Sequence, residues 1–169
     1  MNYLVIALRL IHILSGVFWI GGSLILTFFI SPAVAATAEA GQKFMTHLVM
    51  QGKITLRITI AAVLTVLAGG WLYWIDSIGL TSSWTGSATG WGFGIGAVFA
   101  IIGLIFGLLV GKNVGLLGSM ASKVQGKPTP EQMAQIQAAQ KQLKVVAPIS
   151  TAALILALIC MATARYWRF

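Results

Sequence analysis

Residues 3–30, YLVIALRLIHILSGVFWIGGSLILTFFI, decide the fold. The run is apolar and longer than the ~20 residues a helix needs to cross a bilayer. Arg9 and His12 interrupt it. Ionisable groups are unfavourable in hydrocarbon, so within a span they usually turn toward a bundle interior, a cofactor or a water-filled cavity. Arg9, His12, Gly16, Trp19 and Ser23 recur at steps of three and four, which puts them on one helix face. That face holds a cation, a ligand-capable imidazole, a gap and a large ring, and it is the candidate working face. Each member also has an ordinary reading. Arg9 can snorkel to headgroups, His12 can hydrogen-bond a neighbour, and Trp19 can simply pack.

Three further apolar stretches follow, Ile54–Trp74, Trp91–Gly111 and Val145–Ala164. Of the 169 residues, 58% are hydrophobic and 8% charged, a balance that excludes an ordinary soluble domain. The expected fold is all-α: one antiparallel four-helix membrane bundle over residues 1–169, with a short interfacial helix on the cytoplasmic side. A transmembrane barrel would instead read as alternating segments of ~10 residues. Ala33-Val34-Ala35 resembles a signal-cleavage site, but the preceding run is longer than the ~7–15 apolar residues of a signal peptide, so the segment is read as retained.

The net charge of +8 reports topology rather than a nucleic-acid partner. Lys43, Lys53 and Arg57 flank the first connection, and Lys112, Lys123, Lys127, Lys141 and Lys144 the third. The second connection has no basic residue. By the positive-inside rule, the first and third connections are cytoplasmic and both termini lie outside, as expected for a multi-pass protein of a bacterial inner membrane. Arg165 and Arg168 are the two opposing charges.

Between the spans, Ser31-Pro32 is expected to end or bend the first helix. AVAATAEAGQKFMTHLVMQGK then reads as a short surface helix. It carries Met45, His47 and Met50, a possible soft-metal set, although Phe44, His47 and Leu48 equally suit an interfacial face. Gly69-Gly70 permits close backbone approach, and Trp71, Tyr73 and Trp74 form an interfacial belt. Trp84 suggests that the Ser/Thr/Gly-rich loop folds back on the membrane. Gly103, Gly107, Gly111 and Gly115 form a small-residue ladder, for packing inside the bundle, for a homodimer seam or for a flat cofactor. Thr129-Pro130-Glu131-Gln132 is a helix start with a capping box, and the helix is expected to run unbroken through Pro148 into the fourth span. Its first part would project roughly 20 Å into the cytoplasm.

Acid–base catalysis finds no paired carboxylates among Glu39, Asp76 and Glu131. Two histidines and the one cysteine, Cys160, assemble neither a nucleophile triad nor a closed zinc set. Chemistry therefore needs a cofactor, and haem b fits these residues best. His12 offers the iron ligand, Arg9 a propionate partner, Trp19 a flanking ring, and Met161 a second ligand at similar depth. His47 lies at the opposite side, about 27 Å of helix away from His12. Copper, held by His12 with Met45, His47 and Met50, is the alternative, and a dimerising scaffold without chemistry is a third reading.

Leu10-Ile11-His12-Ile13 followed by Phe18-Trp19-Ile20-Gly21-Gly22 resembles the first-helix signature of the CopD-type copper-resistance membrane proteins and the HemJ-type protoporphyrinogen oxidases. The Arg57–Trp74 stretch, ending Gly-Gly-Trp-Leu-Tyr-Trp, is similar to an uncharacterised four-span branch of that superfamily. The resemblance covers roughly the first 75 residues. It implies haem b binding and oxidoreductase or electron-transfer activity with a redox partner, or copper handling, with His12 as the family histidine. The later tryptophan–histidine–lysine pattern of HemJ-type proteins is absent.

Overall fold

A computed structural model of the chain describes residues 3–123 and 128–168. Lys127, counted in the charge balance, lies outside them. The elements are α1 (Tyr3–Ile25), a π-helical turn (Leu26–Ile30), α2 (Ser31–Ala36), α3 (Ala38–Met50), α4 (Ile54–Asp76), α5 (Ala88–Lys123) and α6 (Pro130–Thr163), with short 3-10 turns at Ser83–Gly86 and Ala164–Tyr166. Four helical stretches are long and apolar enough to cross a membrane: Tyr3–Ala36, Ile54–Asp76, Ala88–Lys123 and Pro130–Tyr166. The chain is an all-α, multi-pass membrane bundle. α1 packs chiefly on α4, and α5 on α6. α4 joins the two pairs through α5, and α1 meets α6 along a narrow line.

The first helix does not end at Ser31-Pro32. Proline cannot donate the next backbone hydrogen bond. The chain instead widens by one π turn, in which the Ser31 N–H reaches back to the Leu26 carbonyl, and α2 continues the axis. π turns of this kind accommodate a disruption inside a helix without breaking it. The break comes at Thr37–Ala38, where Ala38 takes a left-handed φ of 45°. α3 then folds back as the expected short surface helix.

Helices in lipid gain little from apolar burial against each other, so small residues that permit close contact hold them together. On α5 those residues are Gly92, Gly96, Gly103 and Gly107. A Cβ at Gly92 would lie 2.9 Å from Ala164, at Gly96 3.2 Å from Cys160 and Met161, at Gly103 2.7 Å from Leu154, and at Gly107 3.5 Å from Ser150. Ser150 Oγ also donates to the Gly103 carbonyl at 3.1 Å. The ladder expected at 103, 107, 111 and 115 is therefore only half used, and Gly111 and Gly115 face open space. A strict four-residue step advances about 40° beyond a full turn each time, so the last two rungs rotate off the α6 face. The steps of four, seven and four from Gly92 to Gly107 stay on it.

At the bundle centre, Trp19 packs with Ala61 and Ala62 of α4 and Leu154 of α6, flanked by Leu104 of α5. Gly16 lies against Thr65 and Gly22 against Ile58. Antiparallel counting from these contacts puts Ile54, the start of α4, level with Leu26 and the π turn. Beyond that level, toward the lysine-rich end, α2, α3 and the adjoining parts of α5 and α6 continue. α6 does run unbroken through Pro148, and its start is capped as expected: the Thr129 N–H donates to Gln132 Oε1 at 2.9 Å, and the Gln132 N–H to Thr129 Oγ1 at 3.3 Å. Its projecting part is not solitary, however. α5 accompanies it to Lys123, and α3 seats Val49 and Met50 on Gly118.

At the opposite, aromatic end, Trp84 does not reach outward to lipid. It lies half-buried between Tyr73, at 5.2 Å edge-on, and Phe93, stacked at 6.3 Å. Tyr73 Oη also donates to the Gly90 carbonyl at 3.3 Å, clamping the end of α4 to the start of α5.

Candidate functional site at His12

His12 is half-buried on the α4 side of α1. Its Nδ1 lies 2.7 Å from the Thr65 carbonyl oxygen. A carbonyl can only accept, so Nδ1 is the nitrogen that donates here, and in the uncharged tautomer that makes this bond the lone pair is on Nε2. The ring rests directly on Gly69, where a Cβ would stand 2.6 Å from Cε1 and 2.7 Å from Nδ1. Any side chain there would displace the imidazole.

The same carbonyl turn is held by hydroxyls. Thr65 Oγ1 donates to the Ala61 carbonyl at 2.8 Å, and Ser15 Oγ sits 2.8 Å from Thr65 Oγ1. Ser15 also reaches the Ile11 carbonyl one turn back on α1. Because the Thr65 hydrogen is committed to Ala61, the Ser15 hydroxyl supplies the hydrogen between the two side chains or turns it to Ile11. Gly16 lets α1 approach closely enough for this, its Cβ position being 3.4 Å from Thr65 Cγ2. A backbone acceptor that orients one ring nitrogen while the other is left free is the usual arrangement around a metal-binding histidine.

The rest of the predicted set separates. Trp19 is only 3% exposed and forms the centre of the bundle core. Gly16 is buried and Ser23 half-buried, as one inward face requires. Arg9, three residues before His12, lies about 60° around the helix and is exposed. It forms no ion pair; among the described residues the one ion pair is Lys43–Glu39, at 2.7 Å. Met161 lies on α6, and counting from the Trp19–Leu154 contact puts it at about the depth of His12. Its side chain lies against Gly96 of α5, whereas His12 takes its polar partner from α4. On α3, Met45 and His47 are two residues apart and point to nearly opposite sides. His47 is exposed, while Met50 sulfur packs toward Gly118. Among the described residues there is no group of three or more His, Cys, Asp or Glu that could hold a metal ion.

Thr65, Ser15 and Gly69 were not singled out from the sequence as parts of this site. Gly69 was legible as a point of close approach, but its partner follows only from the α1–α4 register. Comparison with known protein families, curated proteins and solved structures gives no match for this chain.

Proposed function

We propose that the chain is a haem b-binding membrane protein serving electron transfer or a related oxidoreductase role. The observation that carries the reading is the hydrogen bond from His12 Nδ1 to the Thr65 carbonyl. It commits Nδ1 and leaves Nε2 as the ring nitrogen available to a metal, on a helix whose other residues are mostly apolar. His12 Nε2 would be the atom that holds the iron of such a group. The close α1–α4 contact leaves no space for a macrocycle between those two helices, so the group would lie against the face that presents Nε2. Bound haem would supply one-electron chemistry. The chain's own contribution is to hold the ring's orientation through Thr65 and Gly69 and to place the Arg9 cation about one turn nearer the aromatic end, suited to a propionate.

The first-helix resemblance to CopD-type and HemJ-type proteins supports the same reading. Copper handling is less favoured because Met45 and His47 of α3 point to nearly opposite sides. A homodimer on the glycine ladder would have only Gly111 and Gly115 free for it. The charge distribution supports an orientation with both termini outside and the lysine-rich end in the cytoplasm. The absorption spectrum of the purified full chain, with and without added haem, tests the function. A Soret band that His12→Ala abolishes and His47→Ala leaves intact is the expected result. Absence of the band in haem-loaded protein, or its persistence unchanged in His12→Ala, rejects the reading.

A further inference from the structure

The turn after α4 is built against ordinary backbone preference. Ile78, Gly79 and Leu80 follow one another at φ values of 50°, 66° and 69°. Only glycine adopts this region freely. A side-chain-bearing residue there is disfavoured by roughly 1–2 kcal/mol, and β-branched isoleucine is among the least suited. Ser77, fully buried, holds the turn in place. Its Oγ donates to the Trp74 carbonyl at 3.1 Å and accepts the Leu80 N–H at 3.1 Å. Its carbonyl accepts the N–H groups of Thr81 and Ser82, each at 3.1 Å, and the Gly79 N–H returns to the Trp74 carbonyl at 2.9 Å.

This scaffold displays rather than buries its apolar groups. Ile78 is 71% exposed and Leu80 57%, beside Trp74 at 57%. Trp71 and Trp91 are exposed on the neighbouring helices. Residues 77–90 carry no charge. From Arg57 to Asp76 is about 28 Å of helix, close to the ~30 Å hydrocarbon thickness, so the turn begins where the acyl layer ends. Exposed tryptophans at that level are the usual markers of the headgroup boundary. Strain held in place by these hydrogen bonds points to a use for the displayed groups.

We propose that Ile78 and Leu80 are a lipid-docking tip, inserted into the interfacial layer of the bilayer at the aromatic end and fixing the depth of α4. The polar arm that follows turns back toward water at the exposed Ser83, and Trp84 anchors it to Tyr73 and Phe93. The occupant is phospholipid, continuous with the lipid already covering Trp71, Trp74 and Trp91.

The test places a single cysteine at Leu80, and separately at Ile78, in a Cys160→Ala full chain reconstituted in phosphatidylcholine vesicles. An environment-sensitive fluorophore is attached at that cysteine. Bromines near the glycerol end of the acyl chains are expected to quench the label more than bromines near the chain end, with little quenching by aqueous iodide. A label on Ser83→Cys should show the reverse preference for iodide. Iodide quenching at both tip positions without bromine quenching would overturn the proposal. A tip reached by neither quencher would overturn it as well, because the occupant would then be protein. Two labelling positions guard against one substitution disturbing the turn.

Discussion

At the residue scale, the decisive group is Gly69. Gly69→Ala would drive a methyl group into the His12 ring, and overpacking of this kind costs about 1–3 kcal/mol. The variant should lower the detergent thermal midpoint and lose the Nδ1 bond, visible as a shifted imidazole nitrogen resonance. A second pair separates used from unused glycines. Gly103→Ala meets the enclosed Leu154 side chain and should destabilise by about 1–3 kcal/mol. Gly111→Ala meets nothing within 4 Å and should be neutral or stabilising by up to about 1 kcal/mol, since alanine is the better helix former. Thermal unfolding of the two variants side by side checks this. The sequence revealed His12 as unusual because an imidazole in an apolar run is conspicuous by type alone. It could not reveal which nitrogen stays free, since that depends on a carbonyl 53 residues away. Arg9 shared the periodicity of the face, yet the few tens of degrees separating i from i+3 were enough to expose it.

At the element scale, local signals were legible and compensated ones were not. The Thr129 capping box involves only four consecutive residues, so it was readable directly. Thr129→Ala should cost about 1 kcal/mol and fray the start of α6, measurable as faster amide exchange at Gln132 and Met133. Pro32 was read as an end or a bend because proline normally makes one or the other. The π turn upstream absorbed its missing donor and brought Thr27 Oγ1 within 3.5 Å of Thr151 Oγ1 on α6. α3 offers a pH prediction. The Lys43 hydrogen bond, and then its charge, hold the Glu39 carboxyl below its ordinary value of 4.5, while Glu39 raises the Lys43 ammonium above 10.5. The carboxylate contribution is full above pH 4.5 and lost as pH falls through the lowered folded value. The lysine contribution is full below 10.5 and lost as pH rises through its raised value. Both groups are fully exposed, so the effect is confined to local order: helicity of a peptide spanning α3, followed by circular dichroism, should be highest between those limits and fall at either extreme.

At the scale of the whole molecule, four spans and two chemically distinct ends were evident from hydropathy and from where the lysines fall. Length alone did not reveal that the helices are unequal, because polar caps such as Asn113, Lys112 and Gln135 hide helix that continues past the lipid. Nor did it reveal the order of pairing. α1 with α4 and α5 with α6 form two antiparallel hairpins, each with its own close contacts: His12 on Gly69 in one, and Gly92 through Gly107 on α6 in the other. Between the hairpins, α4 and α3 pack on α5 and Trp19 meets Leu154, while a single uncharged connection joins them. The chain is thus divisible. A gene split between Ser82 and Ser83 should yield two fragments that insert independently and reassemble in the membrane, recovered together by affinity purification through a tag on either one.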